Sequence, residues 1–210
     1  MKLGIPVYED VDLLDVMGPY EMFGWAAKHK QLDVQLISED GGPVTSMNGV
    51  KFDSHASFAD SPQLDVLWIP GGAPKKLGEI MSDPNSPYLG YLKQVAVDAK
   101  WVCSVCEGAL LLAQAGLLNG HKATTHWAFI KCLQNFPEIT VDTTHARFIE
   151  SGNRLTGGGI SSGLDESLKL IELLYDTDTA INVQVSTQYF PSPPVKGKIP
   201  DTPPCPVQWS

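Results

Sequence analysis

The stretch Trp101-Val-Cys-Ser-Val-Cys106-Glu-Gly-Ala-Leu-Leu111 indicates the fold of this chain. Its first half is short and apolar, which is typical of a buried strand. Residues 108–118 are apolar all the way round, which is typical of a helix buried on every side. The strand therefore passes directly into a helix at Cys106. Open α/β sheets place their functional sites at such junctions, at the carboxyl ends of their strands.

Strand-like and helix-like segments alternate on both sides of this junction. Strands are predicted at residues 2–7, 32–38, 65–69, 101–105, 122–125 and 146–150. Helices are predicted at residues 20–29, 76–81, 88–99, 108–118 and 127–135, and from residue 162 onwards. Such alternation predicts an α/β fold with a mostly parallel central sheet and helices on both faces.

Local patterns add finer predictions. Asn48-Gly49 predicts a hairpin within residues 43–52, because both residues tolerate a positive φ. Residues 162–165 have the composition of a capping box at the start of the last clear helix. Residues 179–189 fit a helix and a strand equally well, and we leave both interpretations open.

The composition is that of a globular protein with one domain. Of the 210 residues, 43% are hydrophobic and 19% are charged, which excludes a largely disordered chain. We predict one domain over residues 1–190. Seven prolines after Phe190 predict an irregular tail over residues 191–210, which packs on the domain or extends from it.

Charge and the N-terminal sequence narrow the location and the partners. Lys and Arg number 15 against 24 Asp and Glu, and the net charge of −9 makes nucleic acid and membrane surfaces poor partners. Acidic residues interrupt the first apolar stretch, so it predicts neither a signal peptide nor an anchor. No run approaches the roughly 18 apolar residues of a membrane span. We therefore expect a cytoplasmic location.

The four cysteines form no dense, regular framework, which agrees with a reducing compartment. Cys132 and Cys205 are interpreted as incidental. Cys103 and Cys106 form a Cys-x-x-Cys pair, but Cys103 lies inside the apolar strand and only Cys106 reaches the helix start. A structural Cys103 is therefore favoured over a redox pair. No further ligands stand at the spacing of a zinc site.

Cys106 is the candidate nucleophile. The unpaired N–H groups and the positive dipole end of the following helix favour its thiolate, and we expect them to lower its pKa below the free value of about 8.5. The alternative is a buried cysteine that acts as a small hydrophobic residue. The nucleophile hypothesis requires a sulfur that solvent can reach and an Asp15 carboxyl that points toward it.

Asp15 is the candidate acid–base partner. Gly18-Pro19 predicts the start of the first helix, because proline is favoured at the first helical position. Asp12 and Asp15 then fall in a loop that opens at the same sheet edge as Cys106. Helix capping is the alternative role for either carboxylate. A buried Asp15 near a cysteine would have a raised pKa and could exchange protons with it.

Further residues are candidates for the same site. The turn Pro70-Gly71-Gly72 ends a neighbouring strand, so the N–H of Gly72 could join that of Glu107 in an oxyanion hole, although a tight turn alone also needs glycine. His126 could act as a base or an orienting group, or be purely structural. Residues 157–163 are rich in glycine but lack the spacing of a dinucleotide loop, so no nucleotide cofactor is implied.

Six blocks of the sequence together resemble the DJ-1/PfpI superfamily and, within it, the isonitrile hydratases. The blocks follow the family's order and are Leu14–Glu21, Ile69–Gly72, Ser104–Leu110, Gly116–Leu118, Ala123–Trp127 and Leu155–Gly163. The resemblance implies a flavodoxin-like sandwich with a nucleophile elbow. It also implies a homodimer, a small-molecule electrophile as substrate, and no metal or organic cofactor.

The resemblance further implies a lyase reaction, in which water adds to an isonitrile and gives an N-substituted formamide. Cys106 would attack the isonitrile carbon, Asp15 would act as general acid and base on a thioimidate intermediate, and the N–H groups of Gly72 and Glu107 would surround the nucleophile. Glu107 stands where isonitrile hydratases carry threonine, and its carboxyl would serve as a second acid. The alternatives are a cofactor-free glyoxalase or deglycase and a cysteine redox sensor without enzymatic activity.

Overall fold

The computed structural model describes residues 1–209 and has a seven-stranded sheet at its centre. In chain order the elements are β1 (Lys2–Pro6), α1 (Leu13–Ala27), β2 (Asp33–Ser38), β3 (Val44–Thr45), β4 (Lys51–Phe52), β5 (Ala56–Ser57), β6 (Val66–Ile69), α2 (Pro74–Ser82), α3 (Pro87–Ala96), β7 (Trp101–Ser104), α4 (Gly108–Gln114), β8 (Lys122–Ala123), a 3-10 turn (Trp127–Phe129), α5 (Ile130–Leu133), β9 (Thr140–Val141), β10 (Phe148–Ser151), β11 (Arg154–Gly157), α6 (Ser162–Leu174) and α7 (Thr177–Ser186).

The sheet runs in the order β10-β11-β7-β6-β1-β2-β5, and every neighbouring pair is parallel except β10 and β11. Helices α1, α6 and α7 pack together, and α4 packs separately against α2, α3 and α5, so helices cover both faces. The mostly parallel α/β sandwich is therefore confirmed. Strand β7 lies inside the sheet between β6 and β11, so the chain leaves it in the middle of the carboxyl edge.

The first helix begins earlier than the sequence pattern predicts. It starts at Leu13, and the Asp12 carboxylate caps it by accepting the Leu14 N–H at 3.0 Å. Asp15 thus lies in the first helical turn and not in a loop, and Pro19 lies inside the helix. Proline has no N–H to offer the carbonyl four residues before it. The Asp15 carbonyl accepts a hydrogen bond from Trp68 Nε1 at 3.3 Å instead, so the helix continues through the proline.

Several finer predictions are decided by local backbone geometry. The hairpin is confirmed, because β3 and β4 pair antiparallel and Gly49 has φ 82°. Helix α4 ends at Gln114 and not at residue 118, because Gly116 takes a left-handed φ of 75° that stops a helix. The capping box is wrong, since Ser161 is the N-cap residue and its side chain makes no cap hydrogen bond. The undecided stretch 179–189 is mostly helix α7.

The tail contains no helix or strand over residues 191–209, yet its end is fixed to the domain. Cys132 and Cys205 form a disulfide, so the interpretation of these two cysteines as incidental is wrong. Their distance in sequence hid the pairing, which the fold creates by laying the tail beside α5. Val207 is buried, and the ring of Trp209 stacks on Phe136 with 6.0 Å between centroids. The disulfide also removes the argument for a reducing compartment from cysteine usage.

No helix among the described residues combines the length and the apolar character that crossing a bilayer requires.

Candidate active site

Asp15, Cys106 and Glu107 meet at the carboxyl edge of the sheet. One ligand atom from each, a carboxylate oxygen or the sulfur, lies within 4.8 Å of the others. Their exposed fractions are 0% for Asp15, 0% for Cys106 and 7% for Glu107. Helix α1 supplies Asp15, and the junction of β7 and α4 supplies the other two. The structure therefore brings together the three residues that the sequence predicts as catalytic.

Cys106 occupies a strained elbow. Its φ of 56° is left-handed, which is uncommon for a residue other than glycine. Its backbone is held at both ends, because the Cys106 N–H donates to Gly158 O at 2.8 Å and its carbonyl accepts from Thr125 Oγ1 at 2.7 Å. Helix α4 can begin so close to β6 only because residue 108 is glycine, whose Cβ would lie 2.2 Å from Ile69 O. This geometry projects the cysteine toward Asp15.

The carboxyl of Asp15 is fixed on one side only. Its Oδ2 accepts the Gly71 N–H at 2.9 Å, whereas its buried Oδ1 has no hydrogen-bond partner within the protein. Burial raises the pKa of Asp15 well above its usual range, and the negative charge of Glu107 raises it further. The expectation of a raised pKa at Asp15 is confirmed in direction. A carboxyl in this state can hold a proton near neutral pH and release it.

Glu107 is the second carboxyl of the group. Burial raises its pKa to about 7, and hydrogen bonds from the Cys106 thiol and from the N–H groups of Glu107 and Gly72 oppose this rise. The Gly72 amide therefore faces the Glu107 carboxylate, and its role in an oxyanion hole stays a prediction. Residue 71 must be glycine here, since a Cβ would lie 2.3 Å from Glu107 Oε2 and 2.9 Å from Asp15 Oδ2.

The protonation and exposure of Cys106 differ from the sequence expectation. Burial raises the pKa of its thiol well above the usual value, and the charges of Asp15 and Glu107 raise it further, while the Glu107 N–H lowers it. The expectation of a lowered pKa is wrong, because complete burial beside two acids outweighs the N-terminus of a short helix. The sulfur is also enclosed by protein atoms, so the expectation that solvent reaches it is wrong as well. Cys106 rests as a neutral thiol.

His126 lies in the wall of a cavity next to the elbow. Its Nδ1 accepts the Ala128 N–H at 3.2 Å, and its ring packs against Gly159, where a Cβ would lie 2.7 Å from Cδ2. Burial lowers the pKa of His126, so the neutral ring carries its proton on Nε2. These contacts give His126 a structural role in this wall and leave its Nε2–H as a donor.

That cavity has a volume of about 470 Å³ and borders the elbow backbone. Thr125 and Gly158, the two backbone partners of Cys106, both line it. Its apolar lining residues are Leu14, Trp127, Ala146, Ile160 and Ile199. The cavity has room for a small apolar molecule near Cys106, and Thr125 and Gly158 separate that space from the sulfur.

Three residues of the site were not predicted individually from the sequence. Gly71 orients Asp15, and Thr125 holds the Cys106 carbonyl. Tyr8 donates its hydroxyl proton to Pro70 O at 3.1 Å. Burial raises its pKa well above 10, and the charges of Tyr88, Glu107, Asp15 and Cys106 raise it further. Gly71 and Thr125 fall within the sequence blocks quoted above, which was their only signal. Tyr8 had none.

The chemistry of the group favours proton transfer. The sulfur of Cys106 and the carboxylate oxygens of Asp15 and Glu107 are also the kinds of atom that bind a cation. The sequence spacing did not indicate this set, because Asp15 lies far from the other two residues in the chain. All three groups have raised pKa values, and their protons compete with a metal for the same atoms. We therefore assign the group to acid–base chemistry. Cys103 is a free, fully buried thiol inside β7, as expected of a structural cysteine.

Known proteins are similar to this chain in sequence and in fold. The model of the DJ-1/PfpI family matches residues 1–173. An isonitrile hydratase of Pseudomonas putida is 39% identical over 207 residues, which cover 99% of this chain and 86% of that protein. A deglycase of Pyrococcus horikoshii is 29% identical over 122 residues, 57% of this chain and 66% of that protein. A crystal structure of a ThiJ/PfpI family protein from Pseudomonas syringae superposes with a TM-score of 0.83 at 33% identity, covering 92% of this chain and 77% of that one.

Proposed function

The chain belongs to the DJ-1/PfpI family, and from this premise we propose that it is a lyase that adds water to isonitriles through a thioimidate on Cys106. The observation that carries the proposal is the buried meeting of one thiol with two carboxyls whose pKa values are all raised. The similarity to the Pseudomonas putida isonitrile hydratase over nearly the whole chain supports the substrate class.

The reaction suits a site that stores protons. The terminal carbon of an isonitrile R–NC must gain both a sulfur and a hydrogen to become a thioimidate, R–N=CH–S–Cys. A neutral thiol with adjacent carboxyls supplies both atoms without an exposed thiolate. Covalent attachment then divides one difficult hydration into two easier additions.

In the first step, the Glu107 carboxylate accepts the proton of the Cys106 thiol, and the sulfur forms a bond to the isonitrile carbon. The neutral carboxyl of Asp15 gives its proton to the same carbon. The site then holds the thioimidate, a protonated Glu107 and an ionised Asp15. The pKa of Glu107 is raised only to about 7, so Glu107 is the carboxyl that is ionised near neutral pH and can accept the thiol proton.

In the second step, the Asp15 carboxylate takes a proton from water while the water oxygen bonds to the thioimidate carbon. Glu107 returns its proton to the substrate nitrogen. The tetrahedral adduct collapses when the carbon–sulfur bond breaks and the hydroxyl proton passes to the sulfur. The products are the formamide R–NH–CHO and the starting thiol, with Asp15 protonated and Glu107 ionised again.

The enclosed sulfur sets a condition on this mechanism. An isonitrile must pass from the cavity of about 470 Å³ through the wall formed by Thr125, His126 and Gly158. The N–C end group is linear and narrow, so a small displacement of side chains admits it while R stays among the apolar lining residues. Closure afterwards excludes water other than the reacting molecule.

Two alternatives make different demands on the site. The deglycase relative supports activity on α-oxoaldehydes as the second candidate. Oxidation sensing requires an accessible, low-pKa thiolate, whereas Cys106 is enclosed and its pKa is raised. Enclosure also opposes enzymatic attack, so both enzymatic functions depend on the opening of the cavity wall described above; the names of the relatives support these functions and not a sensor.

We also propose a cytoplasmic homodimer without nucleic-acid or membrane partners. The family resemblance supports the dimer, and the net charge of −9 opposes binding to phosphate backbones and anionic lipids. The domain over residues 1–190 would carry the catalytic residues, and Ile199 of the tail would complete the wall of the cavity.

The proposal is tested by measuring formamide production from a panel of alkyl, aryl and cyclohexyl isonitriles. We expect turnover with the wild-type protein and with Cys103→Ala, and none with Cys106→Ala. Glu107→Thr tests whether residue 107 determines which substrates the site accepts, because threonine occupies this position in the hydratases that the sequence resembles. Lactate from methylglyoxal, with no formamide from any isonitrile, would replace the hydratase proposal by the second candidate.

A further inference from the structure

Glu166 is a buried acid that the mechanism above does not use. It lies on helix α6 with an exposed fraction of 0%, and neither carboxyl oxygen has a hydrogen-bond partner within the protein. Burying a carboxyl without partners costs several kcal/mol, roughly, and such groups in native proteins usually bind water or a ligand. The position of this side chain therefore needs a functional or a solvent explanation.

The backbone around Glu166 leaves room for its carboxyl. Residue 157 is glycine, and a Cβ there would lie 2.1 Å from Glu166 Oε2 and 3.1 Å from Ser162 Oγ. Ser162 Oγ is also buried without a partner. One carboxyl and one hydroxyl, both unpartnered, thus converge above a glycine that has no side chain. We call this group of unpartnered oxygens the Glu166 pocket. A buried water would supply the missing hydrogen bonds, since such a water needs two to four polar partners.

The pocket adjoins the active site through two elements. Gly158, next to Gly157, accepts the N–H of Cys106. On the other side, Gly163 of α6 packs against Pro19 of α1 and Val105 of the elbow, with its Cβ position 3.4 Å and 3.3 Å from them. Helix α1 carries Asp15, whose Oδ1 is likewise buried without a partner.

Glu166 also interacts electrostatically with Asp15 and with Cys103. Burial raises the pKa of Glu166 well above its usual range, and the charge of Asp15 raises it further. Burial raises the pKa of the Cys103 thiol on β7, and the charge of Glu166 raises it further. Arg154 on β11 interacts with Cys103. Asp15 and Cys103 are the titratable groups that face Glu166 within the described chain, and Glu166 rests neutral.

We propose that Glu166 and Ser162 bind water in this pocket and that the water connects Glu166 to Asp15 Oδ1, which makes Glu166 a positioning residue for the proton of Asp15. The inference rests on the proposed hydration. When Asp15 has given its proton to the isonitrile carbon, the Glu166 carboxyl donates through the water to the new carboxylate. The proton then returns through the water to Glu166, and Asp15, a carboxylate again, takes a proton from the attacking water as in the second step above, so no net proton is gained or lost.

The test compares Glu166→Gln with Glu172→Gln, a half-exposed position on the same helix. Glutamine keeps the shape of glutamate but cannot release a proton. We expect Glu166→Gln to lower kcat by at least about tenfold with KM nearly unchanged, because the loss falls on proton transfer. Glu172→Gln should behave as wild type. An unchanged kcat and an unchanged pH profile of kcat in Glu166→Gln would overturn the proposal.

A second readout does not depend on isonitrile turnover. In a Cys103→Ser background, the rate of Cys106 alkylation by iodoacetamide is measured against pH. In the wild-type protein, Glu166 ionises as the pH rises and its charge then opposes that of Asp15, whereas glutamine never ionises, so Glu166→Gln should move this profile toward lower pH by about half a unit or more. A shifted profile without formamide production in wild type would overturn the hydratase but retain the Glu166–Asp15 connection. Coincident profiles would overturn the connection itself.

Two controls separate an effect on proton transfer from a failure of the variant to fold. Removing a buried ionisable group should make Glu166→Gln more stable relative to wild type as the pH rises, because the wild-type protein must keep Glu166 protonated while the unfolded chain ionises. If Glu166→Gln does not fold, Ser162→Ala decides, since it removes one water ligand and no charge. A several-fold lower kcat in Ser162→Ala supports the pocket, and wild-type kcat contradicts it.

Discussion

Asp15 is positioned through two of its three oxygen atoms. Trp68 Nε1 donates to its carbonyl, Gly71 N–H donates to Oδ2, and the buried Oδ1 has no hydrogen-bond partner within the protein. Pro19 makes the first of these contacts available, because it leaves the Asp15 carbonyl without the usual helical donor. The acid is thus anchored by its backbone and by one carboxyl oxygen, while the other oxygen is free for proton exchange.

The pH profile of the reaction should report Glu107. Its pKa is about 7, and the proposed mechanism needs its carboxylate as the base for the thiol. Protonation below that value removes the base, so we expect kcat/KM for an isonitrile to rise with pH through about 7. Glu107→Gln should retain little activity and lack this limb. A limb of unchanged position in Glu107→Gln would assign the ionisation to another group.

Gly71→Ala should disable the site with little change of fold. The added methyl group would lie 2.3 Å from Glu107 Oε2 and 2.9 Å from Asp15 Oδ2, so both carboxyls must move. Displacement of reacting groups by about 1 Å can cost about a hundredfold in rate, and we expect a loss of that size in kcat/KM. Gly24→Ala is the matched control, because nothing lies within 4 Å of its Cβ position. Equal activity of the two variants would show that the carboxyl positions are unimportant.

At the scale of elements, the elbow depends on how closely helix α4 approaches strand β6. Gly108 begins this helix next to the backbone of Ile69, whose carbonyl also accepts the Val105 N–H at 3.0 Å. The close approach places the left-handed Cys106 at the edge where Asp15 and Glu107 also lie. Packing of two elements therefore holds the strained residue in place.

Gly108→Ala tests this packing. Its Cβ would lie 2.2 Å from Ile69 O, so the helix must move away, and we expect a loss of about 3 kcal/mol in the free energy of unfolding. Gly90→Ala, at an exposed position of helix α3 with nothing within 4 Å, should gain about 1 kcal/mol. Urea denaturation measures both variants. A stable Gly108→Ala would refute the close-packing account of the elbow.

The elements show how far the sequence can be interpreted and where it fails. Apolar strands such as β1, β6 and β7 were predicted within two residues, because burial on both faces leaves an unbroken apolar run. The start of α1 was missed because Pro19 is a normal start signal, and its tolerance depends on Trp68 from a distant strand. The two-residue strands β5 and β9 carry no pattern of their own.

The candidate site divides in the same way. The elbow cysteine and Asp15 were predicted, since a strand–helix junction and a carboxylate in an apolar segment are local signals. The protonation of Cys106 was predicted in the wrong direction, because complete burial and the two neighbouring acids arise only from tertiary structure. Glu166 was not singled out, since its helical position resembles that of any surface glutamate.

At the scale of the whole molecule, the disulfide links the C-terminal tail to the domain. Cys205 ties the tail to Cys132 on α5, and the segment before it passes the active-site cavity, where Ile199 forms part of the wall. The end of the tail packs further on, with Gln208 O 2.5 Å from the Cβ position of Gly78 in α2. The tail is thus covalently attached to the domain and also forms part of the cavity wall.

Removing this disulfide should lower stability more than activity. The bond closes a loop of 73 residues, for which loop entropy predicts about 4 kcal/mol of stabilisation. We expect Cys205→Ser to lower Tm clearly and to raise KM for bulky isonitriles, because the wall that includes Ile199 is released. Calorimetry and steady-state kinetics measure both effects, and Cys103→Ser serves as the control that leaves the disulfide intact. An unchanged Tm would mean that the tail is held by its side-chain contacts alone.

The most direct test of the proposed chemistry is rapid quenching of the wild-type protein with an isonitrile, followed by mass spectrometry of the peptide that contains Cys106. The account predicts a transient adduct with the added mass of one intact isonitrile on Cys106, none on Cys103, and decay of the adduct at the rate at which formamide appears. Formamide production without any adduct on Cys106, or with undiminished rate in Cys106→Ala, would contradict it.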